Sequence, residues 1–132
     1  MLSVHIVSKD NEAAALEYLN NQKIQFDFDG RIAMLCTDGA AAAGMVGARL
    51  WGEDDVRAEV ELLSGGDGEI VYLLCRSIFH ILERRGIYDV TCTKEEYFPF
   101  LKLHRMKETK QDGKPALTLD LRGYFDAGCG QK

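Results

Sequence analysis

Short runs of alternating hydrophobic and polar residues dominate the first half of the chain, and this period of two predicts β-strands. We expect strands over residues 2–7, 31–36 and 41–50, joined by polar or glycine-containing turns. The clearest alternation covers residues 56–62, where Val, Ala and Leu alternate with Arg and Glu, so one face of that strand is expected to be buried. Together these runs predict an antiparallel meander.

The first half of the chain also predicts one helix, a further alternating segment and two positions of close packing. Residues 12–19 are predicted to form a helix that Ser8 or Asp10 caps. Its buried face is expected to carry Ala15, Leu16 and Leu19. Residues 24–28 alternate again and predict a strand or an extended segment. Gly44 and Gly47 are expected to let another backbone or a helix approach the strand that contains them.

The hydrophobic period changes to that of a helix after residue 63. Hydrophobic residues at helical spacing predict a long amphipathic helix, and they are Ile70, Val71, Leu74, Ile78, Ile81 and Leu82. Residues 87–93 form a short β-branched run directly after it. A strand, a helix and a strand in close succession predict a βαβ unit whose strands are parallel neighbours.

The last third of the chain predicts one short helix and one strand. Thr93-x-x-Glu96 matches a capping box that would open a helix over residues 97–103. Pro99 is expected either to kink that helix or to lie in the first turn of one that starts later. Leu117, Leu119 and Leu121 alternate in a final strand. The predicted fold class is therefore α/β, with a mixed sheet.

Composition is ordinary for a globular protein, with 46% hydrophobic and 28% charged residues in a chain of 132. The net charge of −5 disfavours nucleic acid as a partner, because phosphate binding depends on clustered Lys and Arg. No uninterrupted apolar run approaches the roughly 20 residues of a membrane span. We therefore expect one domain over residues 1–132, located in the cytoplasm, without a nucleic-acid or membrane partner.

The cysteines are far apart in the sequence and form no Cys-x-x-Cys pair. Three of them, Cys36, Cys75 and Cys92, lie in apolar segments, where a thiol behaves as a small hydrophobic group. The fourth is Cys129. We expect free thiols in a reducing compartment and no metal site.

The segment between the strand at residues 56–62 and the long helix is rich in glycine. A glycine-rich turn at a helix start exposes unpaired backbone amides, to which the helix dipole adds partial positive charge. Such a start binds a pyrophosphate without a basic side chain. The alternative is a plain strand-to-helix connection, which the negative charges of Asp67 and Glu69 favour.

The order of these elements resembles the GNAT superfamily of N-acetyltransferases over about residues 30–125. The resemblance implies an acyl-CoA N-acyltransferase fold in which two parallel strands diverge and acetyl-CoA lies in the gap. Its pantetheine would contact Leu62 and Leu63. Its pyrophosphate would be held by Ser64, Gly65, Gly66, Asp67, Gly68 and Glu69.

A second stretch carries the same resemblance. Thr93 stands where the family often has Asn after its fifth strand, and Phe100-Leu101-Lys102-Leu103 matches a Tyr-x-Lys-Leu segment. Thr93 and Phe100 are therefore further expected cofactor contacts. Two positions depart from the family pattern. Leu63 replaces the Arg or Gln of the pyrophosphate motif, and Phe100 replaces the tyrosine that acts as general acid.

The implied reaction transfers an acetyl group from acetyl-CoA to an amine whose identity the sequence does not specify. It needs a group that removes a proton from the amine and a group that protonates the leaving thiolate. Glu59 and Glu61 are the candidate general bases, and His104 is a third. Tyr97, one helical turn before Phe100, is the candidate general acid.

Two other hypotheses stay open. The first is a GNAT-like binding or assembly module without catalysis, which Leu63 and Phe100 favour. The second is an unrelated α+β fold, in which the strands at residues 59–63 and 87–92 would pair along their whole length. A homodimer is also expected, because small domains often pair about a twofold axis.

Overall fold

The computed structural model describes residues 1–125, so Cys129 lies outside the described residues. Seven strands form one sheet in the order β1-β2-β3-β4-β5-β7-β6. Their bounds are β1 (Leu2–Ile6), β2 (Arg31–Asp38), β3 (Ala41–Trp51), β4 (Arg57–Gly65), β5 (Asp89–Cys92), β6 (Lys107–Gln111) and β7 (Lys114–Asp120). Strands β4 and β5 pair in parallel, and the other neighbours pair antiparallel. The predicted α/β class, meander and βαβ unit are confirmed.

Three helices accompany the sheet, namely α1 (Glu12–Gln22), α2 (Gly68–Arg84) and α3 (Phe98–Leu101). Single 3₁₀ turns at Glu95–Tyr97 and Lys102–His104 flank α3. None of the helices in the described part of the chain is long and apolar enough to cross a membrane.

Helices α1 and α2 cover opposite faces of the sheet. In β2, Ile32 and Met34 belong to the main core cluster, which also contains the apolar face of α2. Ala33 and Leu35 alternate with them and pack with α1 in a second cluster. A strand whose neighbouring side chains are buried on both faces must lie inside a three-layer structure.

A β-bulge in β4 changes which face its side chains occupy. Gly47 pairs with Leu62 and Ala48 pairs with Val60, so Glu61 is the extra residue. Val60 faces α2 in the main cluster, whereas Leu62 packs in the α1 cluster and Leu63 returns to the α2 side. The expectation that residues 56–62 bury a single face is therefore wrong at Leu62, because the bulge moves the alternation by one residue.

Helix α1 differs from the prediction at its start and on its exposed side. Its N-cap is Asn11, not Ser8 or Asp10, and no side chain caps it there. The Asn11 side chain instead bridges the preceding turn, where it accepts from the Ser8 amide and donates to the Ile6 carbonyl. Leu16 is 44% exposed, and the buried residues of α1 are Ala15, Tyr18 and Leu19.

The region after β5 also differs from the prediction. Thr93 and Glu96 form no capping box, since Lys94 precedes the 3₁₀ turn and no side chain caps it. Pro99 lies in the first turn of α3, which was one of the two expected positions. Strand β6 was not predicted, because its side chains are all exposed and show no apolar alternation. Residues 24–28 belong to no strand.

Gly44 of β3 is a position where α2 and β4 approach the backbone closely, as predicted. A Cβ there would lie 2.6 Å from the Ser64 carbonyl oxygen and 2.8 Å from Ile70 Cγ2. We expect Gly44→Ala to lower the free energy of unfolding by about 1–3 kcal/mol, because backbone atoms must move to admit the methyl group. Urea denaturation measures this change. Gly66→Ala is the matched control, since a Cβ at Gly66 meets no atom within 4 Å.

Candidate functional site

The two parallel strands separate after a short stretch of pairing. Arg57, Ala58 and Glu59 of β4 pair with Asp89, Val90 and Thr91 of β5. Strand β4 then continues to Gly65 without β5 as a partner. Strand β5 ends at Cys92, so residues 60–65 of β4 lack a ladder partner on this side, and this unpaired stretch is called the gap. This separation contradicts the pairing along the whole length that an unrelated α+β fold was expected to show.

Side chains from the segment after β5 bridge this gap to β4. The Thr93 hydroxyl donates to Glu59 Oε2 at 3.2 Å, and Lys94 Nζ donates to the Glu61 carbonyl oxygen at 2.8 Å. The Tyr97 phenol lies beside the Leu63 backbone, whose amide partly offsets the raised pKa of Tyr97. Beyond the last ladder pair at Glu59, side chains of Lys94 and Tyr97 thus contact the β4 backbone where a neighbouring strand would otherwise pair.

Helix α2 begins at the open end of the gap, where β4 ends. The Asp67 side chain is its N-cap and accepts from the Ile70 amide at 3.0 Å. Among residues 1–125, no acceptor contacts the backbone amides of residues 66–69. The surroundings are open as well, because a Cβ at Gly66 or Gly68 would meet no atom within 4 Å.

The expected pyrophosphate contacts divide into two groups in the structure. Residues 66–69 form the turn and the helix start, whereas Ser64 and Gly65 are the last residues of β4. The Ser64 hydroxyl shares a hydrogen bond of 2.7 Å with the Tyr18 hydroxyl of α1. The free amides therefore belong to a shorter segment than residues 64–69.

Leu62 and Leu63, the expected pantetheine contacts, are buried on opposite faces of the sheet. Their side chains fill the two cores, so only their backbone atoms border the gap. Phe100, the third apolar contact expected from the resemblance, is 41% exposed.

The two candidate bases, Glu59 and Glu61, form ion pairs with arginines from β2 and β3. Arg31 Nε lies 2.7 Å from Glu61 Oε1, and Arg49 Nη2 lies 3.2 Å from Glu59 Oε1. Arg49 Nε also lies 3.6 Å from Glu61 Oε2. The hydrogen bond that Arg31 donates to Glu61 raises the pKa of Arg31. These pairs hold both carboxylates in fixed positions at the edge of the gap.

The two other titratable candidates differ in burial and in chemistry. Burial raises the pKa of Tyr97, so its phenol keeps its proton at neutral pH. His104 is buried, and its pKa falls to about 4 through burial and the nearby charge of Arg76. Its ring lies between Tyr72 and Phe79. The structure therefore places His104 in the core rather than beside the candidate bases.

A cleft of about 570 Å³ adjoins the bulge of β4 on the α1 side of the sheet. Glu61 and Lys94 line it together with Arg31. The apolar part of its lining, the apolar wall, consists of Leu16, Leu19, Ile24 and Phe26, and Asn20, Gln25 and Asp27 line the cleft as well. The cleft therefore brings charged groups at the gap together with an apolar surface.

The cysteines take no part in this site. Cys36, Cys75 and Cys92 are free and buried, and burial raises the pKa of Cys75 to about 12 and that of Cys92 to about 11. Thiols with such pKa values are poor nucleophiles at neutral pH. Within residues 1–125, no group of three or more His, Cys, Asp or Glu side chains is arranged to hold a metal ion.

Sequence reasoning missed three charged residues of the site, namely Arg31, Arg49 and Lys94. Only Arg49 had a signal, because it lies opposite Glu59 across β3 and β4, whereas Arg31 lies opposite Arg49, a like charge, across β2 and β3. Opposite charges on neighbouring strands are expected to pair. No sequence signal indicated Lys94, since its position depends on where β5 ends.

No protein-family model matches the chain, and no curated protein matches it in sequence. Its structure, in contrast, is similar to solved acetyltransferases. An acetyltransferase of the GNAT family from Staphylococcus aureus Mu50 superposes with a TM-score of 0.66 over 92% of this chain and 99% of that chain, at 11% identity. The chain has the GNAT fold.

Two other proteins share the GNAT fold with this chain. An N-acyl amino acid synthase from uncultured soil microbes has a TM-score of 0.69 over 96% of this chain and 94% of its own, at 11% identity. N-acetylglutamate synthase from Neisseria gonorrhoeae, complexed with coenzyme A and N-acetyl-glutamate, has a TM-score of 0.68 at 13% identity. In that case the chain matches 35% of the other protein and 92% of itself. These likenesses establish the fold.

Proposed function

We propose that the chain is a divergent GNAT N-acetyltransferase that transfers an acetyl group from acetyl-CoA to an amine. The observation that supports this most strongly is the divergence of β4 from β5 beside the start of α2. A pantetheine arm would pair with the backbone of β4 along this gap once the Lys94 side chain moves away from the Glu61 carbonyl oxygen. The free amides of residues 66–69 stand at its open end, where the diphosphate would bind.

The residues present fit such a cosubstrate. The amides at the start of α2 are unpaired, and no atom lies over Gly66 or Gly68. Coenzyme A of the Neisseria synthase is bound to a protein of the same fold. The exposed Asp67 and Glu69 oppose a diphosphate through their charges, so we expect affinity for acetyl-CoA to be modest.

Each candidate residue has a role in this proposal. The thioester supplies an activated acetyl group, and the amine nitrogen forms a bond to its carbonyl carbon while the carbon–sulfur bond breaks. Glu59 and Glu61 take up the proton of the amine through water, and Tyr97 gives its phenolic proton to the leaving sulfur. Positioning of the two reactants supplies much of the rate enhancement.

Acetyl-CoA is expected to raise the melting temperature. A ligand that binds only the native state stabilises it by about 2.7 kcal/mol at one hundred times its dissociation constant. For a domain of this size that corresponds to a rise in Tm of roughly 8 °C. A thermal-shift titration to millimolar acetyl-CoA measures it, and an unchanged Tm at the highest concentration contradicts the proposal.

The position of the diphosphate is tested with Asp67→Asn, which keeps a side-chain oxygen as N-cap but removes the negative charge. We expect this variant to bind acetyl-CoA about two- to fivefold more tightly, since one charge at a helix start is worth up to about 1 kcal/mol. Glu83→Gln is the matched control, because it removes one charge at the other end of α2. Isothermal titration calorimetry distinguishes the two, and equal affinities would place the diphosphate elsewhere.

An inactive binding module is the alternative function. It is favoured by the contacts of Lys94 and Tyr97 with β4, which fill part of the gap that a pantetheine arm would need. Such a module would bind acetyl-CoA weakly or not at all and would acetylate no amine. The same titration, followed by an assay of thiol release with a panel of amines, separates the two functions.

A further inference from the structure

Lys94 is a charged donor without a carboxylate partner inside the cleft. Its ammonium group is exposed and donates to the Glu61 carbonyl oxygen at 2.8 Å. Among the residues that the structure describes, no carboxylate lies within 4.0 Å of it. Its two remaining N–H donors are therefore free to bind an anionic group of a ligand through charge-assisted hydrogen bonds.

Arg31 adds a second donor to the same wall of the cleft. Its Nε binds Glu61 and its Nη1 donates to the Asp29 carbonyl oxygen at 3.0 Å. Its Nη2 makes no hydrogen bond to any residue between 1 and 125. A carboxylate has two oxygens, so it can accept from an arginine and a lysine at once.

Two carboxylates line the cleft, those of Glu61 and Asp27. Glu61 is paired with Arg31 and Arg49, and Asp27 accepts a hydrogen bond from the Asp29 amide at 3.0 Å. Glu61 still presents a carboxylate to an incoming ammonium group. The apolar wall of Leu16, Leu19, Ile24 and Phe26 lines the same cleft and offers an uncharged surface.

We propose that the acceptor amine carries its own carboxylate and an apolar side chain, as a free hydrophobic amino acid does. Lys94 and Arg31 bind its carboxylate, Glu61 faces its amino group, and the apolar wall covers its side chain. Lys94 is thereby a specificity-determining residue of the acceptor site. The inference rests on the proposed acetyltransferase function.

The test compares acceptors with and without a free carboxylate. Leucine and phenylalanine are assayed with acetyl-CoA beside leucinamide and phenylalaninamide, whose amino groups are free but whose carboxylates are blocked. We expect kcat/KM to be about tenfold or more higher for the free amino acids, because a hydrogen bond to a charged group is lost with the amide. Thiol release measures the rates.

The same panel is run on Lys94→Met and Lys94→Arg. We expect Lys94→Met to raise KM for leucine about tenfold and to leave KM for leucinamide unchanged, and Lys94→Arg to retain the preference. Lys110→Met is the matched control, since Lys110 is an exposed lysine of the edge strand β6. Circular dichroism spectra confirm that each variant is folded.

The outcomes distinguish this inference from the proposed function. Equal kcat/KM values for amino acids and their amides overturn the carboxylate anchor while acetyl transfer stands. An equal rise in KM for leucine and leucinamide in Lys94→Met does the same. Binding of acetyl-CoA without turnover of any amino acid also overturns it. Absence of acetyl-CoA binding overturns the proposed function itself, and the inference falls with it.

Discussion

Tyr97→Phe is expected to lower kcat about a hundredfold, with little change in KM for acetyl-CoA. The phenol lies beside Leu63 at the gap between β4 and β5, and burial raises its pKa. A group whose pKa is raised above 10 stays protonated through neutral pH, so Tyr97 has a proton to give to the leaving sulfur. Loss of general acid catalysis costs about 10²–10⁴ in rate. Steady-state kinetics measure kcat and KM separately.

Phe100 provides the control for this prediction. In the resemblance to the GNAT superfamily, it occupies the position of the tyrosine that acts as general acid. Phe100→Tyr in the Tyr97→Phe background restores a phenol at the family position. We expect no recovery of kcat, since Phe100 is 41% exposed. Full recovery would show that the acid belongs at residue 100, and an unaltered kcat in Tyr97→Phe alone would exclude Tyr97.

Periodicity was sufficient for most strands and for α2, because these elements are buried on regular faces. It was insufficient at Glu61, where one extra residue in β4 sends Leu62 to the α1 side. The sequence Val-Glu-Leu alternates in the same way whether or not the strand contains a bulge, so the alternation does not reveal one. The pairing partner on β3 determines the bulge, and that is a tertiary property.

A turn signal in the sequence, rather than apolar alternation, indicates strand β6. Asp112 and Gly113 both have positive φ, at 53° and 79°, between β6 and β7. Asp-Gly between two strands is the strongest short-range hairpin signal, because its conformation matches the twist of the strands. The charged, exposed side chains of β6 are typical of an edge strand that must avoid pairing with another molecule.

The candidate site was predictable in the part that depends on local chemistry. Glycines before α2 indicated a helix start with free amides, and residues 66–69 have them. Contacts across the gap were not predictable, because Lys94 and Glu61 are 33 residues apart. The side chain of Thr93 illustrates the same limit. It matched a capping box locally, but its hydroxyl donates to Glu59 on the neighbouring strand.

Acidification is expected to destabilise the protein through His104 by about 3 kcal/mol. Folding lowers the pKa of this histidine from 6.5 to about 4, and one pKa unit corresponds to about 1.4 kcal/mol. The unfolded chain binds a proton to His104 below pH 6.5, whereas the folded protein does so only below about pH 4. Stability is therefore complete above pH 6.5 and is lost as pH falls towards 4.

His104→Leu isolates this contribution, because leucine fills a similar volume and does not titrate. The buried Nε2 of His104 has no hydrogen-bond partner among the described residues, so an apolar replacement leaves no polar atom unsatisfied. We expect the variant to match the wild type at pH 7 and to exceed its free energy of unfolding by about 3 kcal/mol at pH 4. Urea denaturation from pH 4 to 7 measures both proteins. If the free energies of unfolding of the two proteins changed with pH in the same way, protonation of His104 would not destabilise the folded state. His104 would then have access to water in the folded protein.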